Sequence, residues 1–176
     1  MPWWDNALYD TCSLITLDKL VLDHPELAHY FRHVVALEAS FSADQLREPT
    51  AQRMRQRVAL AAMPRASDIA RILATAGLPR ALADVDKLVY ATAVHQGMTV
   101  VTGDRRLARA LTRHGQHVGN MALILKTLVT THGLAITVCE AILADLVKRH
   151  DFILPAEAPQ TWATLQTRFS SFFRLT

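Results

Sequence analysis

The sequence predicts an α/β protein with three layers, in which helices cover both faces of a central, mainly parallel sheet. Short apolar runs typical of buried strands alternate along the chain with segments whose apolar residues recur at helical spacing. Strands that alternate with helices pair in parallel, and their connecting helices cover the sheet. Since 51% of the 176 residues are apolar, the chain can bury a sizeable core.

Buried strands are predicted wherever a short, continuous apolar run occurs. Four are expected, at residues 7–9, 34–37, 99–102 and 117–118. The first two stop at Asp10 and Glu38, and the third is followed closely by Asp104. Three of the predicted strands therefore lead directly to an acidic residue.

Helices are predicted where apolar residues recur three and four positions apart, or where capping residues mark an end. Before residue 120 they are expected at residues 13–22, 25–31, 50–60, 67–76, 86–96 and 105–114. Ser67 is expected to cap the fourth of these helices, and Gly97 and Gly115 to end the last two.

The chain is divided at residue 120. Residues 1–120 are expected to form the α/β domain, and residues 121–176 a helical extension packed on or beside it. The extension reads as two apolar helices broken at Gly133, followed by a tail that contains Trp162, Phe169, Phe172 and Phe173. We expect the extension to build an interface with a second copy or another protein. The alternative is that its helices pack on the sheet and leave nothing exposed.

Composition argues against several classes of protein. The two cysteines, Cys12 and Cys139, cannot form a disulfide framework, and no apolar run reaches the roughly 18 residues of a membrane helix. The N-terminus lacks a basic stretch followed by an apolar one, so no secretory signal is predicted. We expect a reduced, cytoplasmic protein that does not contact a membrane.

Charge is distributed unevenly, although the formal net charge is only +3. Residues 1–46 carry seven acids against two bases, residues 47–71 carry six arginines against two acids, and residues 105–117 carry four arginines and no acid. An acidic section beside two basic ones suits a metal site flanked by a phosphate-binding surface.

The acids that follow the strands form the candidate site. Parallel strands place their carboxyl ends at one edge of the sheet, which is where such folds bind ligands, so Asp10, Glu38 and Asp104 are expected to converge. Crowded carboxylates repel one another unless a cation or a proton neutralises them, and oxygen ligands suit Mg²⁺ or Mn²⁺. Taken singly, each acid has another explanation as a helix cap, a turn residue or an exposed helix start.

Residues 86–104, DKLVYATAVHQGMTVVTGD, resemble the most recognisable stretch of the PIN-domain family, the VapC-like metal-dependent ribonucleases. There an Asp begins a helix that carries small Ala residues, a Gly closes the helix, and a strand ends in Thr-x-Asp. Asp10 with Thr11 is similar to the family's first acid, and Glu38 after its strand to the second. The resemblance covers roughly residues 5–120.

The resemblance implies a PIN fold of Rossmann-type topology and Mg²⁺- or Mn²⁺-dependent hydrolysis of RNA, often by the toxin of a toxin–antitoxin pair. It assigns the metal to Asp10, Glu38, Asp86 and Asp104. Thr102 is a candidate for orienting one of these carboxylates.

Two departures from the family pattern keep other functions open. Cys12 stands where many relatives have Asn, and the chain continues well beyond the usual end of the domain. The main alternative is a PIN-like module that binds RNA or protein with little or no turnover. A phosphatase of the haloacid-dehalogenase type also begins with an Asp after the first strand, but it uses a second Asp at the position of Cys12.

A basic stripe begins beside the candidate site. Arg106, Arg109 and Arg113 lie at i, i+3 and i+7 of the helix that follows Asp104, where an RNA backbone would run. A solvated helix face is the alternative. The partners that these observations and the resemblance suggest are RNA, an antitoxin protein and a second copy of the chain.

Overall fold

The centre of the protein is a five-stranded parallel sheet. The computed structural model describes residues 2–42 and 44–168. The strands are β1 (Leu8–Tyr9), β2 (Val35–Ala36), β3 (Ala59–Leu60), β4 (Val100–Val101) and β5 (Val118–Gly119). They are ordered β3-β2-β1-β4-β5, and every neighbouring pair is parallel. This confirms the predicted α/β class and the parallel sheet.

Helices connect the strands, and three further helices follow the last strand within the described residues. They are α1 (Thr11–Asp23), α2 (Thr50–Arg55), α3 (Ala66–Thr75), α4 (Asp84–Gln96), α5 (Arg105–Arg113), α6 (Met121–His132), α7 (Ile136–Lys148) and α8 (Trp162–Arg168). Two 3₁₀ helices span Pro25–Tyr30 and Glu38–Phe41. Within the described residues, no helix combines the length and the apolar character needed to cross a membrane.

The order in which strands are added to the sheet reverses at β1. Leu8 pairs with Val35 of β2 on one side and with Val100 of β4 on the other, and Tyr9 pairs with Val101. The strand order runs outward from β1 in both directions, so the crevice beyond the carboxyl ends of β1 and β4 is the topological switch point of the sheet. Residues directly after these two strands are brought side by side.

Each face of the sheet carries its own apolar core. One core joins α1, α2, α6, α7 and α8 to the sheet, and the other joins α3, α4 and α5 to the opposite face. Leu14 and Leu17 of α1 anchor the first core, whereas Val89 of α4 and Leu107 of α5 anchor the second. The three layers expected from the sequence are present.

The described part of the C-terminal extension continues the first core. Ile124 of α6, Ile142 of α7 and Leu165 of α8 are fully buried in the cluster that also contains Leu14 of α1. The helices therefore pack on the domain, as the alternative proposed, while Ile136 stays 46% exposed. Phe169, Phe172 and Phe173 lie outside the described residues, so an interface built by the tail stays a prediction.

Two local predictions are wrong. The helix expected over residues 50–60 ends at Arg55, because Ala59 and Ala61 donate backbone hydrogen bonds to Val34 and Ala36 of the β2 segment (2.9 Å each). This pairing creates β3, whose residues remain exposed at the edge of the sheet. Ser67 does not cap its helix: α3 begins at Ala66, so Ser67 lies inside the first turn.

Candidate metal centre at the carboxyl edge of the sheet

Asp10 occupies the switch point and is buried, with 1% of its surface exposed. Its backbone N–H donates to Val101 of β4 (3.1 Å), which ties the end of β1 to the neighbouring strand. Its carboxylate caps α1 by accepting the backbone N–H of Ser13 (2.8 Å). Burial raises the pKa of Asp10, and hydrogen bonds from Thr102, Ser13 and Cys12 oppose that rise.

Thr102 connects two of the acids. Its buried hydroxyl donates to Asp10 Oδ2 and accepts the backbone N–H of Asp104 (2.9 Å). Because β1 and β4 are neighbours with Tyr9 opposite Val101, the residues that follow them, Asp10 and Thr102, meet across the strand pair. The hydroxyl therefore fixes both the Asp10 carboxylate and the backbone of the next acid.

Asp104 caps the helix that carries the arginine stripe. Its Oδ1 accepts the backbone N–H groups of Arg106 (2.6 Å) and Leu107 (3.2 Å). The capping alternative considered from the sequence is thus correct for Asp104. It is wrong for Asp86, because Ala83 is the N-cap residue of α4. Asp10, for which a turn was the alternative, is also a helix cap. Capping uses part of each carboxylate and leaves further oxygen lone pairs free for another ligand.

Asp86 carries the clearest electrostatic sign that the acids are close together. It lies in the first turn of α4, half-buried. Burial, with the negative charges of Asp10 and then Asp104, raises its pKa to about 6. Asp84, two residues earlier, is 93% exposed and pairs with Lys87 (2.7 Å), which lowers the pKa of Asp84. The helix thus separates one acid that faces the site from one that faces solvent.

Glu38 has a different environment. Its carboxylate is 60% exposed and pairs with Arg55 of α2 (Oε1 to Nη2, 2.7 Å), and the Arg55 guanidinium also lies over the Phe41 ring, 5.3 Å from its centroid. Glu38 begins a 3₁₀ helix, as the exposed helix-start alternative proposed. Among the described contacts, none joins its side chain to Asp10, Asp86 or Asp104.

Cys12 lies at the rim of the site. Its Sγ lies 3.1 Å from both carboxylate oxygens of Asp10 and donates a hydrogen bond to that group. The residue is exposed as a whole, yet neighbouring atoms desolvate the thiol, and this and the Asp10 charge raise its pKa. The thiol therefore stays protonated at neutral pH and is no nucleophile. A side chain on Gly103 would meet Cys12 Sγ at 3.3 Å, so the two residues pack tightly.

The arginine stripe lies on the solvent face of α5. Arg106, Arg109 and Arg113 are exposed, while Leu107 and Leu111 of the same helix are buried. The three guanidinium groups form no salt bridge with a described residue. The side chains of Arg106 and Arg113 donate hydrogen bonds to the backbone carbonyls of Ala81 and Arg109. By contrast, Arg53 is held by both carboxylate oxygens of Asp18 (2.9 and 2.6 Å) and is not free for phosphate.

A cavity of about 250 Å³ opens beside the acids, and sequence reasoning missed it. Its walls are the start of α1, the loop after β4, the start of α6 around Asn120, and residues 152–155 after α7. No local pattern marks this arrangement, because residues 152–155 reach the site only through long-range contacts. The only sequence feature beside this segment is the acid Asp151, which forms an ion pair with Lys19 of α1 (3.0 Å).

The donor set matches a hard divalent cation in chemistry and charge. Carboxylate oxygens are the ligands that Mg²⁺ and Mn²⁺ prefer. Burial raises the pKa of Asp86 most, and the negative charges of Asp10 and Asp104, which a cation would offset, raise it further. As the side chains stand in residues 2–42 and 44–168, no group of three or more His, Cys, Asp or Glu side chains is arranged to hold a metal ion. Binding would therefore require rotation of side chains.

Comparisons of this chain with protein-family models, with curated proteins and with solved structures find no significant match. Membership of the PIN-domain family therefore stays a prediction from the residues. The functional interpretation depends on the contacts of Asp10, Asp86, Thr102 and Asp104.

Proposed function

We propose that this protein is a PIN-like ribonuclease that hydrolyses RNA phosphodiester bonds with Mg²⁺ or Mn²⁺. The observation that supports the proposal most is the link through Thr102, which joins Asp10 and Asp104 at the switch point of the sheet. Asp86 adds a third carboxylate close enough to be influenced by the charges of both. Structural capping alone accounts for two of these acids but not for the third.

The ligands in this proposal are Asp10, Asp86 and Asp104. A bound divalent cation would supply Lewis acidity that stabilises charge on the phosphate and favours deprotonation of the attacking water. Thr102 keeps the Asp10 carboxylate in one orientation. With a pKa of about 6, Asp86 is mostly ionised at neutral pH and available as a ligand.

Glu38 would complete the ligand set or orient the attacking water. To do so it must leave Arg55, and because both side chains are exposed their ion pair is worth about 1 kcal/mol or less. The released Arg55 would then be a cation near the phosphate. Within the proposal, Glu38 is the acid that moves, whereas Asp10 is held by its hydrogen bonds.

The partners we propose are RNA, an antitoxin protein and a second copy of the chain. RNA would follow the exposed stripe of Arg106, Arg109 and Arg113, whose guanidinium groups are available for phosphate. A cytoplasmic location is part of the same proposal, since cellular RNA would be the substrate.

A second candidate is a PIN-like module that binds RNA or protein with little or no turnover. The observation that favours it is the position of Glu38, which is exposed and neutralised by Arg55. The Cys12 thiol donates a hydrogen bond to the Asp10 carboxylate. It therefore uses an oxygen lone pair that would otherwise be available to a metal ion. In this alternative the arginine stripe binds a partner and the acids serve chiefly as helix caps.

Cleavage of single-stranded RNA with Mn²⁺, with Mg²⁺ and with excess chelator tests the proposal. We expect cleavage that depends on the cation, and its loss in Asp86→Asn, which removes one negative ligand while keeping the size of the side chain. Asp84→Asn is the matched control, because Asp84 lies on the same turn of α4 but faces solvent. Binding of RNA without any cation-dependent cleavage would favour the binding module. Equal loss in both variants would show that the effect is not specific to the site.

A further inference from the structure

The cavity beside the acids has no role in the proposed hydrolysis. It shares Asp104 and Thr102 with the candidate metal centre, so a ligand in the cavity would lie directly next to a phosphate held at the carboxylates. Its far wall is formed by residues 152–155, which belong to the extension and lie beyond the stretch that resembles the PIN family. The cavity is therefore a feature that the extension adds to the edge of the sheet.

The wall of the cavity is held firmly in place. Thr16 Oγ1 lies 3.1 Å from both carboxylate oxygens of Asp151, and Lys19 Nζ lies 3.0 Å from Oδ2. On the other side, the Gln160 side chain accepts the backbone N–H of Leu154 (3.2 Å) and donates to the Pro155 carbonyl (3.0 Å). The Asp151 contacts hold the start of this segment against α1, and the Gln160 contacts hold its end to the residues that follow.

The lining of the cavity includes an aromatic ring, a side-chain amide and a guanidinium group. Phe152 lines the cavity with 41% of its surface exposed, and it is one of only a few large apolar residues that are exposed in the described chain. Asn120 lines it as well: its Oδ1 accepts the N–H of Leu123 (2.9 Å), and no described residue accepts a hydrogen bond from its side-chain amide N–H groups. Arg105 supplies a cation at the same cavity.

We propose that this cavity binds the nucleobase next to the phosphate held at the carboxylates, with Phe152 as its stacking surface. The Asn120 amide would donate to an oxygen or ring nitrogen of the base, and Arg105 would contact the phosphate between base and acids. Aromatic stacking accepts any base, so the site would favour single-stranded over paired RNA. The inference rests on the proposed function, because it takes the phosphate to lie at Asp10 and Asp104.

Binding of adenosine 5′-monophosphate and of ribose 5-phosphate, compared by NMR titration at saturating Mg²⁺, tests the inference. The two probes share ribose and phosphate, and ribose 5-phosphate carries a hydroxyl where the nucleotide carries its base. We expect the parent protein to bind the nucleotide at least about tenfold more tightly, because stacking on an aromatic ring contributes an effect of that order. Phe152→Ala should remove most of that preference and leave ribose 5-phosphate binding unchanged.

Two further variants separate stacking from general damage. Phe152→Trp keeps an aromatic face and should retain the preference for the nucleotide. Ile136→Ala is the matched control, because Ile136 is exposed to a similar extent (46%) on α7 and does not line the cavity. It should behave like the parent protein.

The outcomes distinguish the base site from the nuclease. Equal binding of the two probes by the parent protein overturns the base site, whether or not RNA is cleaved. An unchanged preference in Phe152→Ala overturns it as well. A preference that disappears in Phe152→Ala and persists in Phe152→Trp supports the base site even if no cation promotes cleavage, in which case only the proposed hydrolysis fails.

Discussion

The carboxyl ends of β1 and β2 have the same sequence pattern, but the acids that follow them have opposite environments. Each strand is a short buried run that ends at an acid. After β1, Asp10 is buried and accepts a hydrogen bond from Thr102, whereas after β2, Glu38 is exposed and forms an ion pair with Arg55. The difference arises from what lies opposite each acid. The neighbouring strand β4 brings a hydroxyl to Asp10, while α2 brings a cation to Glu38.

This contrast shows what makes a carboxylate available to a ligand. The Thr102 hydroxyl orients Asp10 but carries no positive charge to offset that of the carboxylate, and the charge of ionised Asp10 raises the pKa of Asp86. A guanidinium neutralises its partner and removes the electrostatic reason to bind a cation. The two regions are therefore predicted to respond differently to the same kind of substitution.

The largest expected difference is in catalysis. Asp10→Asn should lower cation-dependent RNA cleavage by at least about 100-fold, the upper end of the range for a residue that only orients a ligand. Glu38→Gln should cost less than about tenfold, because Glu38 is not fixed at the site. Initial rates at saturating Mn²⁺ measure both. If Glu38→Gln lowers the cleavage rate more than Asp10→Asn does, the account of the two strand ends is wrong.

Thr102→Val is expected to have the next largest effect. The change preserves shape but removes the hydroxyl that Asp10 and the Asp104 N–H both use. We expect a loss of about 1 to 3 kcal/mol in the free energy of unfolding and about 10- to 100-fold in metal affinity. Denaturant unfolding and metal titration measure the two quantities.

Thr92→Val is the matched control for Thr102→Val. Thr92 is equally buried, in α4, but its hydroxyl has no hydrogen-bond partner among the described residues. Its replacement should leave stability unchanged or raise it, since no bond is lost. Similar destabilisation by both variants would mean that the Thr102 hydroxyl has no special role.

The third prediction concerns pH and the metal-free protein. Because the pKa of Asp86 is raised to about 6 in the folded state, its ionisation destabilises the fold as pH rises from about 4 to above 6. Asp86→Asn should therefore raise the free energy of unfolding by about 1 to 2 kcal/mol at pH 7.5 and leave it unchanged at pH 3.5, allowing for partial solvent screening.

Asp84→Asn provides the comparison for the pH prediction. The ion pair with Lys87 lowers the pKa of Asp84, so its ionised form favours folding, and the substitution should not stabilise the protein at neutral pH. Thermal unfolding across this pH range in chelator measures both variants. A stabilisation of equal size in Asp84→Asn would show that the effect is general surface charge.

The smallest effect per residue is expected on the arginine stripe. Replacing Arg106, Arg109 and Arg113 together by Ala should reduce the dependence of log affinity for RNA on log salt by about one unit per contact, equally for all sequences. Arg53→Ala is the control, since Asp18 already binds this side chain. Fluorescence anisotropy at several salt concentrations measures the slope. If the triple variant shows the same dependence of log affinity on log salt as the parent protein, the arginines form a solvated helix face and do not contact RNA.

Sequence periodicity was sufficient for the architecture and for the position of the acids along the chain. It predicts four of the five strands, because a buried run such as Val34 to Leu37 is self-evident. It misses β3, whose exposed Ala59 and Leu60 form a strand only because β2 offers free backbone groups. Edge strands of this kind depend on their partner rather than on their own pattern.

The site was predictable only as far as backbone topology determines it. The strand-end rule brings Asp10 and Thr102 together, because their strands are neighbours. The Glu38–Arg55 pair and the wall around Phe152 are decided by side chains that meet across 17 and more than 100 positions of the chain. No local spacing encodes such contacts, so the structure was needed to find them.

Calorimetric titration with Mn²⁺ at pH 7 tests the central claim most directly, because it asks whether the acids hold a cation without requiring catalysis. We predict that the parent protein and Asp84→Asn bind Mn²⁺ below millimolar concentration, and that Asp86→Asn binds it at least about tenfold more weakly. Binding to the parent protein should also weaken from pH 7 to pH 5, as Asp86, with its pKa of about 6, takes up a proton. No binding at millimolar Mn²⁺, or equal binding by Asp86→Asn, would contradict a metal centre at this edge.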